Sequence, residues 1–162
     1  MADVLDKMLI FIITSVLLVI APVILVANRL DQSAQSYMDS VVISFVDNVR
    51  VMGKIVPEEY ERLVNAIDII QPCCDIDITI SGKEVIPGED GDIYTYYRNM
   101  YKYEIIDKMY DEGGKNSICL SNGDYIRVVV KTTQPTLAQR MLSIGEYVPL
   151  YVTYGGWVRS SG

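Results

Sequence analysis

The side chains with chemistry to offer are three cysteines and a scatter of acids, and no histidine stands among them. Without histidine there is no Ser-His-Asp or Cys-His pairing, no HExxH metal site and no histidine-ligated zinc. A thiol nucleophile at Cys73, Cys74 or Cys119 would have no imidazole to activate it. Two fates remain for these thiols. In a domain outside the membrane, Cys73 or Cys74 can bridge Cys119 and leave one thiol over. Otherwise all three stay reduced and half-buried; a bridge between the adjacent Cys73 and Cys74 would be strained.

The acids read as solvated. Glu89, Asp90 and Asp92 surround Gly91 and would suit calcium by ligand type. Their spacing is not that of an EF-hand, whose ligands spread over about twelve residues, so a wet turn is expected. Asp75 and Asp77 alternate with isoleucines and belong to the outer face of a strand. No glycine-rich phosphate loop occurs, and Gly113-Gly114 and Gly155-Gly156 read as turn signals. The expectation is a protein that is not an enzyme, with no catalytic, cofactor or metal residue. Lys and Arg total 14 against 21 Asp and Glu, a net charge of −7. No specific nucleic-acid contact is expected of such a chain, because that affinity comes mostly from neutralising phosphates. Twelve tyrosines are the remaining oddity. Tyr94, Tyr96, Tyr97, Tyr101, Tyr103 and Tyr110 crowd one segment; Tyr147, Tyr151 and Tyr154 crowd another with Trp157. They suit either core edges and sheet decoration or a contact surface.

The elements that carry these residues start with an apolar run. Met8 to Ala27 is 20 residues without a charge, with Thr14 and Ser15 its polar members. As a helix it is about 30 Å long, the thickness of a bilayer's hydrocarbon core. Met8, Leu9, Ile10, Phe11, Ile12, Ile13, Val16, Leu17, Leu18, Val19, Ile20, Pro22, Val23, Ile24, Leu25 and Val26 are its membrane- or filament-facing residues. The run exceeds the roughly 7–15 apolar residues of a signal peptide and no small-x-small site follows it, so an uncleaved anchor is expected. Pro22 should kink or loosen it locally.

The helix should continue beyond Ala27. Leu30, Ala34, Tyr37, Val41, Phe45, Val49 and Met52 recur at three- and four-residue spacing, and Gly53 is a suitable stop. Pro57 to Ile70 is a second helix, burying Tyr60, Leu63, Val64, Ile67 and Ile70. Cys74 to Ile80 alternates as a half-buried strand, and residues 82–92 form a loop. The spacing of Tyr97, Tyr101, Ile105 and Met109 predicts a helix from about Asn99. Ser117–Leu120 and Asp124–Thr132 flank Asn122-Gly123, a hairpin signal. A short helix over 133–143 and a last strand over Val148–Val158, with a bulge allowed at Gly155-Gly156, complete the chain. The fold class is α+β: a long N-terminal hydrophobic helix leading into a small head with an antiparallel sheet and short helices. Residues 1–27 are the anchor half of the helix, 28–54 its amphipathic half and 55–162 an extracytoplasmic head.

This layout resembles the type IV pilin superfamily, including pilin-like proteins of Tad-type and conjugative systems. The segments FVDNVRVMGKIVPEEYERLVNAID (Phe45 to Asp68) and GDYIRVVVKTT (Gly123 to Thr133) look like Gram-positive members. The resemblance covers the whole chain at the level of layout and loose pattern. It implies a structural subunit held in the cell membrane by one span and then assembled into a surface filament. Its partners would be its own copies, through the N-terminal helix, and other components of a secretion or conjugation machine. Pro22 falls where many pilins carry a helix-breaking proline. Many pilins also place a glutamate at the fifth position, where Leu5 stands here; Asp3 or Asp6 would supply the assembly charge. The alternative is a single-pass anchored accessory protein of such a machine that does not polymerise.

Overall fold

The computed structural model describes residues 2–87, 93–111, 114–136, 139–140 and 148–159. The elements, in chain order, are α1 (Ala2–Met52), β1 (Lys54–Ile55), α2 (Pro57–Ile70), β2 (Cys74–Pro87), β3 (Ile93–Tyr101), α3 (Lys102–Met109), β4 (Ile118–Cys119), β5 (Tyr125–Thr132) and β6 (Tyr151–Trp157).

The α+β class holds, with one unbroken helix of 51 residues at its start, about 75 Å long. It has no interior glycine, and it runs on through Pro22. Gly53 ends it at φ 64°, a left-handed conformation that costs glycine nothing, and its N–H closes the last turn on the Val49 carbonyl at 2.8 Å. The buried face of the second half is rotated from the expected stripe. Met38, Val42, Phe45, Val46 and Val49 are buried, whereas Leu30, Tyr37 and Met52 are exposed. The reason is that polar positions share the inward face: Asp31 and Gln35 turn toward the head and bond to it, as described below.

α2 begins with Pro57 at its first turn and Glu58 and Glu59 beside the positive end of its dipole. Leu63 and Ile67 are its buried pair, and Tyr60, Val64 and Ile70 are half-buried. The chain then passes Cys73, the one described non-glycine residue at positive φ (71°). Its carbonyl accepts bonds from the N–H and hydroxyl of Thr133, which hold this left-handed corner.

The main sheet has four strands in the order β3-β2-β5-β6, every neighbouring pair antiparallel. Ile76, Ile78 and Ile80 of β2, Ile126, Val128 and Val130 of β5 and Val152 of β6 form its buried face. They meet the α1 residues, Leu63 and Ile67 of α2 and Ile105 and Met109 of α3 in one core. Asp75, Asp77, Arg127 and Lys131 lie on the opposite, wet face.

Several expectations from the sequence are corrected. β2 does not stop at Ile80; it runs to Pro87, and residues 82–87, expected as loop, pair with Ile93–Arg98. Glu89, Asp90, Gly91 and Asp92 lie outside the described residues. Tyr94–Tyr101 is strand, and the helix starts at Lys102; tyrosine at four-residue spacing satisfies both periods, and pairing with β2 decides between them. Ser121–Asp124 is a turn, with Asp124 N–H donating to the Ser121 carbonyl at 3.0 Å and Gly123 at φ 91°, but no hairpin results. β4 pairs instead with β1, Lys54 opposite Cys119, in a separate two-stranded sheet. β6 is regular across Gly155-Gly156, with Ile126 opposite Gly156 and Arg127 opposite Gly155, so there is no bulge. A Cβ on Gly156 would fall 2.5 Å from Arg50 Nε, and one on Gly155 would fall 2.7 Å from the Ile126 carbonyl oxygen; close approach explains these glycines. Of the helix expected over 133–143, residues 133–136 are bend and irregular chain rather than helix, 139–140 are helical, and 137–138 and 141–143 lie outside the described residues.

Candidate functional site

The feature that sets this chain apart is the surface of α1 and the way its second half is fastened to the head. From Val4 to Val26 the large apolar side chains stand in the open: Phe11 is 74% exposed, Leu18 73% and Val23 40%. Met8, Leu9, Ile10, Ile12, Ile13, Val16, Leu17, Val19, Ile20, Leu25 and Val26 are exposed as well, as is Pro22, and Ile24 is half-buried. Burying each such side chain is worth roughly 1.5–3 kcal/mol, so leaving all of them in water forgoes on the order of 20 kcal/mol. Thr14 hides its hydroxyl by donating to the Ile10 carbonyl at 2.8 Å, as a polar side chain on an apolar helix must. Among the described residues this is the one helix long and apolar enough to cross a membrane, and none of its most apolar stretch is buried within the chain. Asp6 is exposed in the first turns. Asp3 lies on the helix, but its side chain is outside the described residues.

Burial begins at Ala27, and from there polar side chains reach across to the head. Thr136 donates to Asp31 Oδ2 at 3.0 Å, and Thr136 is itself buried. Gln35 Nε2 donates to the Tyr151 carbonyl at 2.9 Å. At the far end Arg50 Nε donates to the Trp157 carbonyl at 3.0 Å, and Arg50 Nη1 pairs with Asp47 at 2.7 Å. The Arg50 carbonyl accepts the Arg159 N–H at 3.0 Å, which satisfies one of the helix's orphan carbonyls. Gln35 to Arg50 on the helix and Tyr151 to Trp157 on the strand both span about 20 Å, so α1 and β6 run side by side in the same direction.

These bonds guard one edge of the sheet. Thr132 N–H donates to Leu150 and Val158 N–H to Asp124, so the even-numbered residues of β6 bond to β5 and the odd-numbered ones face outward. Tyr151 and Trp157 are two of those outward residues, and α1 occupies their carbonyls. Near the base, Leu30, Ala34, Tyr37, Ile69 and Ile70 line an apolar groove of about 540 Å³ between α1 and α2. It continues the apolar surface of the first half of α1 onto the head.

The structure does not bring the cysteines together. All three are free. Cys74 lies opposite Thr132, at the C-terminal end of β5, whereas Cys119 precedes the turn into its N-terminal end. An eight-residue strand spans about 25 Å, far beyond the roughly 7 Å reach of a disulfide. Burial, helped by Asp68 and the neighbouring Cys73, pushes the Cys74 thiol up to about 11, and its Sγ lies 3.1 Å from the Gln71 carbonyl. A thiol in that state is an inert packing group. Asp75 does not form a carboxylate pair with Asp77; it is held by Lys102 at 2.9 Å. Burial draws the Lys102 ammonium down, and the Asp75 hydrogen bond and charge outweigh it, leaving it raised. Among the described residues no three metal-binding side chains converge.

Sequence reasoning missed two things here. Asp31, Gln35 and Arg50 are polar residues on a helix, with nothing local to show that they bond to groups more than 100 residues away. The tyrosine segment is an edge strand whose outer side pairs with nothing among the described residues. No protein-family model, curated protein or solved structure matches the chain.

Proposed function

We propose that this protein is a membrane-anchored structural subunit of a surface assembly, pilin-like in layout, that polymerises by packing Met8–Ala27 against the same segment of its copies. The observation that carries this reading is the exposure of the first half of α1 on every side, joined without a break to a half that is locked into a folded head. A bilayer covers such a surface before assembly, and neighbouring helices cover it afterwards. The groove of Leu30, Ala34, Tyr37, Ile69 and Ile70 extends the same apolar surface past the membrane boundary.

Photo-crosslinkers placed in turn at Phe11, Leu17 and Leu18 of the full chain, in its own membrane, test this. Self-adducts from all three faces are expected. A single foreign adduct from one face would replace the polymer with an anchored accessory protein of a secretion or conjugation machine. Electron microscopy of sheared surface material supplies the second check: filaments that contain this chain are expected.

A further inference from the structure

The two edges of the main sheet are treated differently. β6 has α1 over it. β3, the other edge, has nothing over it among the described residues. Thr133 N–H donates to Cys73, so the odd-numbered residues of β2 bond to β5 and its even-numbered residues bond to β3. In β3 the even residues Tyr94, Tyr96, Arg98 and Met100 therefore face β2. Thr95, Tyr97 and Asn99 point their N–H and C=O groups outward, and among the described residues no group bonds to them. Tyr94, Tyr96, Tyr97 and Tyr101 along this edge are 46–75% exposed. A nine-residue edge of this kind, with Arg98 its single charge, is a template for another strand, and proteins that do not use such edges cover or blunt them.

We infer that β3 is a homotypic contact: it pairs antiparallel with β3 of a second copy, about a two-fold axis at Tyr97, and the two copies sit in facing membranes. The membrane part of this rests on α1 being an anchor, as proposed above. The pairing is self-complementary. With Tyr97 opposite Tyr97, Thr95 falls opposite Asn99, and every outward N–H meets an outward C=O. On one face Arg98, paired with Glu104 in its own chain at 3.0 Å, falls opposite Tyr96 of the second copy, which stands across from Glu84 in its own sheet, so a guanidinium meets an aromatic ring with a carboxylate beside it. On the other face Lys83, opposite Tyr97 within its own chain, flanks the central tyrosine pair. The guarded β6 edge stops head-to-tail growth of the sheet, so the pair closes.

The facing arrangement follows from direction. An antiparallel two-fold stands normal to the sheet and reverses every strand. α1 runs along β6, so it is reversed too, and the two anchors point opposite ways. One membrane cannot hold both. Arg50 lies about 30 Å above Leu30 along α1, and Tyr97 stands about two strand residues further out, at the level of Lys83. Two such heights put the facing membranes about 70 Å apart.

The test is the full chain reconstituted into phosphatidylcholine vesicles, with flotation to confirm insertion. Vesicles with protein should cluster, raising the mean particle size several-fold by light scattering, with contact zones about 70 Å wide in electron cryomicrographs. Tyr97→Pro removes one outward donor at an edge position that tolerates proline, and should disperse them at unchanged flotation. In a Cys73→Ser, Cys119→Ser background, Tyr97→Cys should give disulfide-linked dimers on oxidation, since directly opposed residues lie within bridging distance. Floating vesicles that stay separate overturn the contact and leave the anchor standing. So does clustering that Tyr97→Pro leaves intact, or a Tyr97→Cys chain that stays monomeric. A chain that does not float removes the anchor and the facing membranes with it.

Discussion

Met8–Ala27 and Met38–Val49 lie on one helix, and their side chains meet opposite surroundings. In the first segment leucine, isoleucine and valine occupy every face and all but Ile24 and Ala27 are exposed; in the second, apolar residues occupy one stripe, and Met38, Val42, Val46 and Val49 are wholly buried. The second segment is bracketed by what the first lacks: Asp31 and Gln35 before it and Arg50 after it, with Asp47 inside it, polar groups that fix the helix against β6 and the Thr136 region. Apolar residues alone seek any oily environment. Apolar residues bracketed by directional bonds specify one partner. The first half is thus open to whatever apolar surroundings cover it, and the second is held where it is.

Single changes should act on one half and spare the other. The largest effect is expected for Phe45→Ala, which empties a buried site and should cost about 3–5 kcal/mol of head stability, read by denaturant unfolding, with flotation on vesicles unchanged. Leu17→Arg reverses the pattern. A charge at the middle of the span costs about 3 kcal/mol of insertion, read as loss from the membrane fraction, with the head's unfolding midpoint unmoved. Gly156→Ala pushes the Arg50 side chain off the Trp157 carbonyl and should cost about 1–2 kcal/mol. Its signature is faster hydrogen exchange along β6 and the end of α1. Cys73→Gly relieves the left-handed corner at φ 71° and should raise stability by about 1 kcal/mol, read as a higher melting temperature.

The smallest effect is on pH. Hydrogen bonds from Lys115 and Tyr110 hold the Glu61 carboxyl below its usual 4.5, and those from Lys108 and Arg98 do the same for Glu104. Their contribution is present above pH 4.5 and is lost as pH falls through the lowered values. Burial raises Cys74 from 9.0 to about 11 and raises Tyr60 above 10.0. Both are protonated in the fold, so the Cys74 contribution is full below pH 9 and is lost as pH climbs to about 11, and that of Tyr60 is lost as pH rises through its raised value. A melting-temperature plateau between about pH 5 and pH 9 is expected, while flotation stays flat across it, because none of these groups lies on the anchor.

The same contrast explains what was legible from sequence. Periodicity found α1, its stop at Gly53, α2 and the inward isoleucines of β2, because each is a local pattern repeated over many residues. It misplaced the buried stripe of α1 by one position, since Asp31 and Gln35 face inward for reasons held in Thr136 and Tyr151. It started α3 about three residues early, at Asn99 rather than Lys102, because four-residue tyrosine spacing fits a helix as well as a strand. Asn122-Gly123 marked a turn correctly but not which sheets the turn connects. β1 and β4 are two residues each, too short for any period. The exposed apolar run from Met8 to Val26 was legible for the simplest reason: its surface is defined by what it lacks.

One feature of α1 has a mechanical consequence. Between Pro22 and Gly53 the helix has neither proline nor glycine, and it is bolted to β6 near both ends of the shared run. With α1 as the anchor proposed above, the head and the upper half of that helix swing as one lever whose fulcrum lies at the bilayer surface. A tilt of about 20°, ordinary for a membrane helix, sweeps Tyr97 sideways by over 10 Å. Lipid thickness or a neighbouring helix that sets the tilt thereby steers where the outermost tyrosines point, with no hinge in the head.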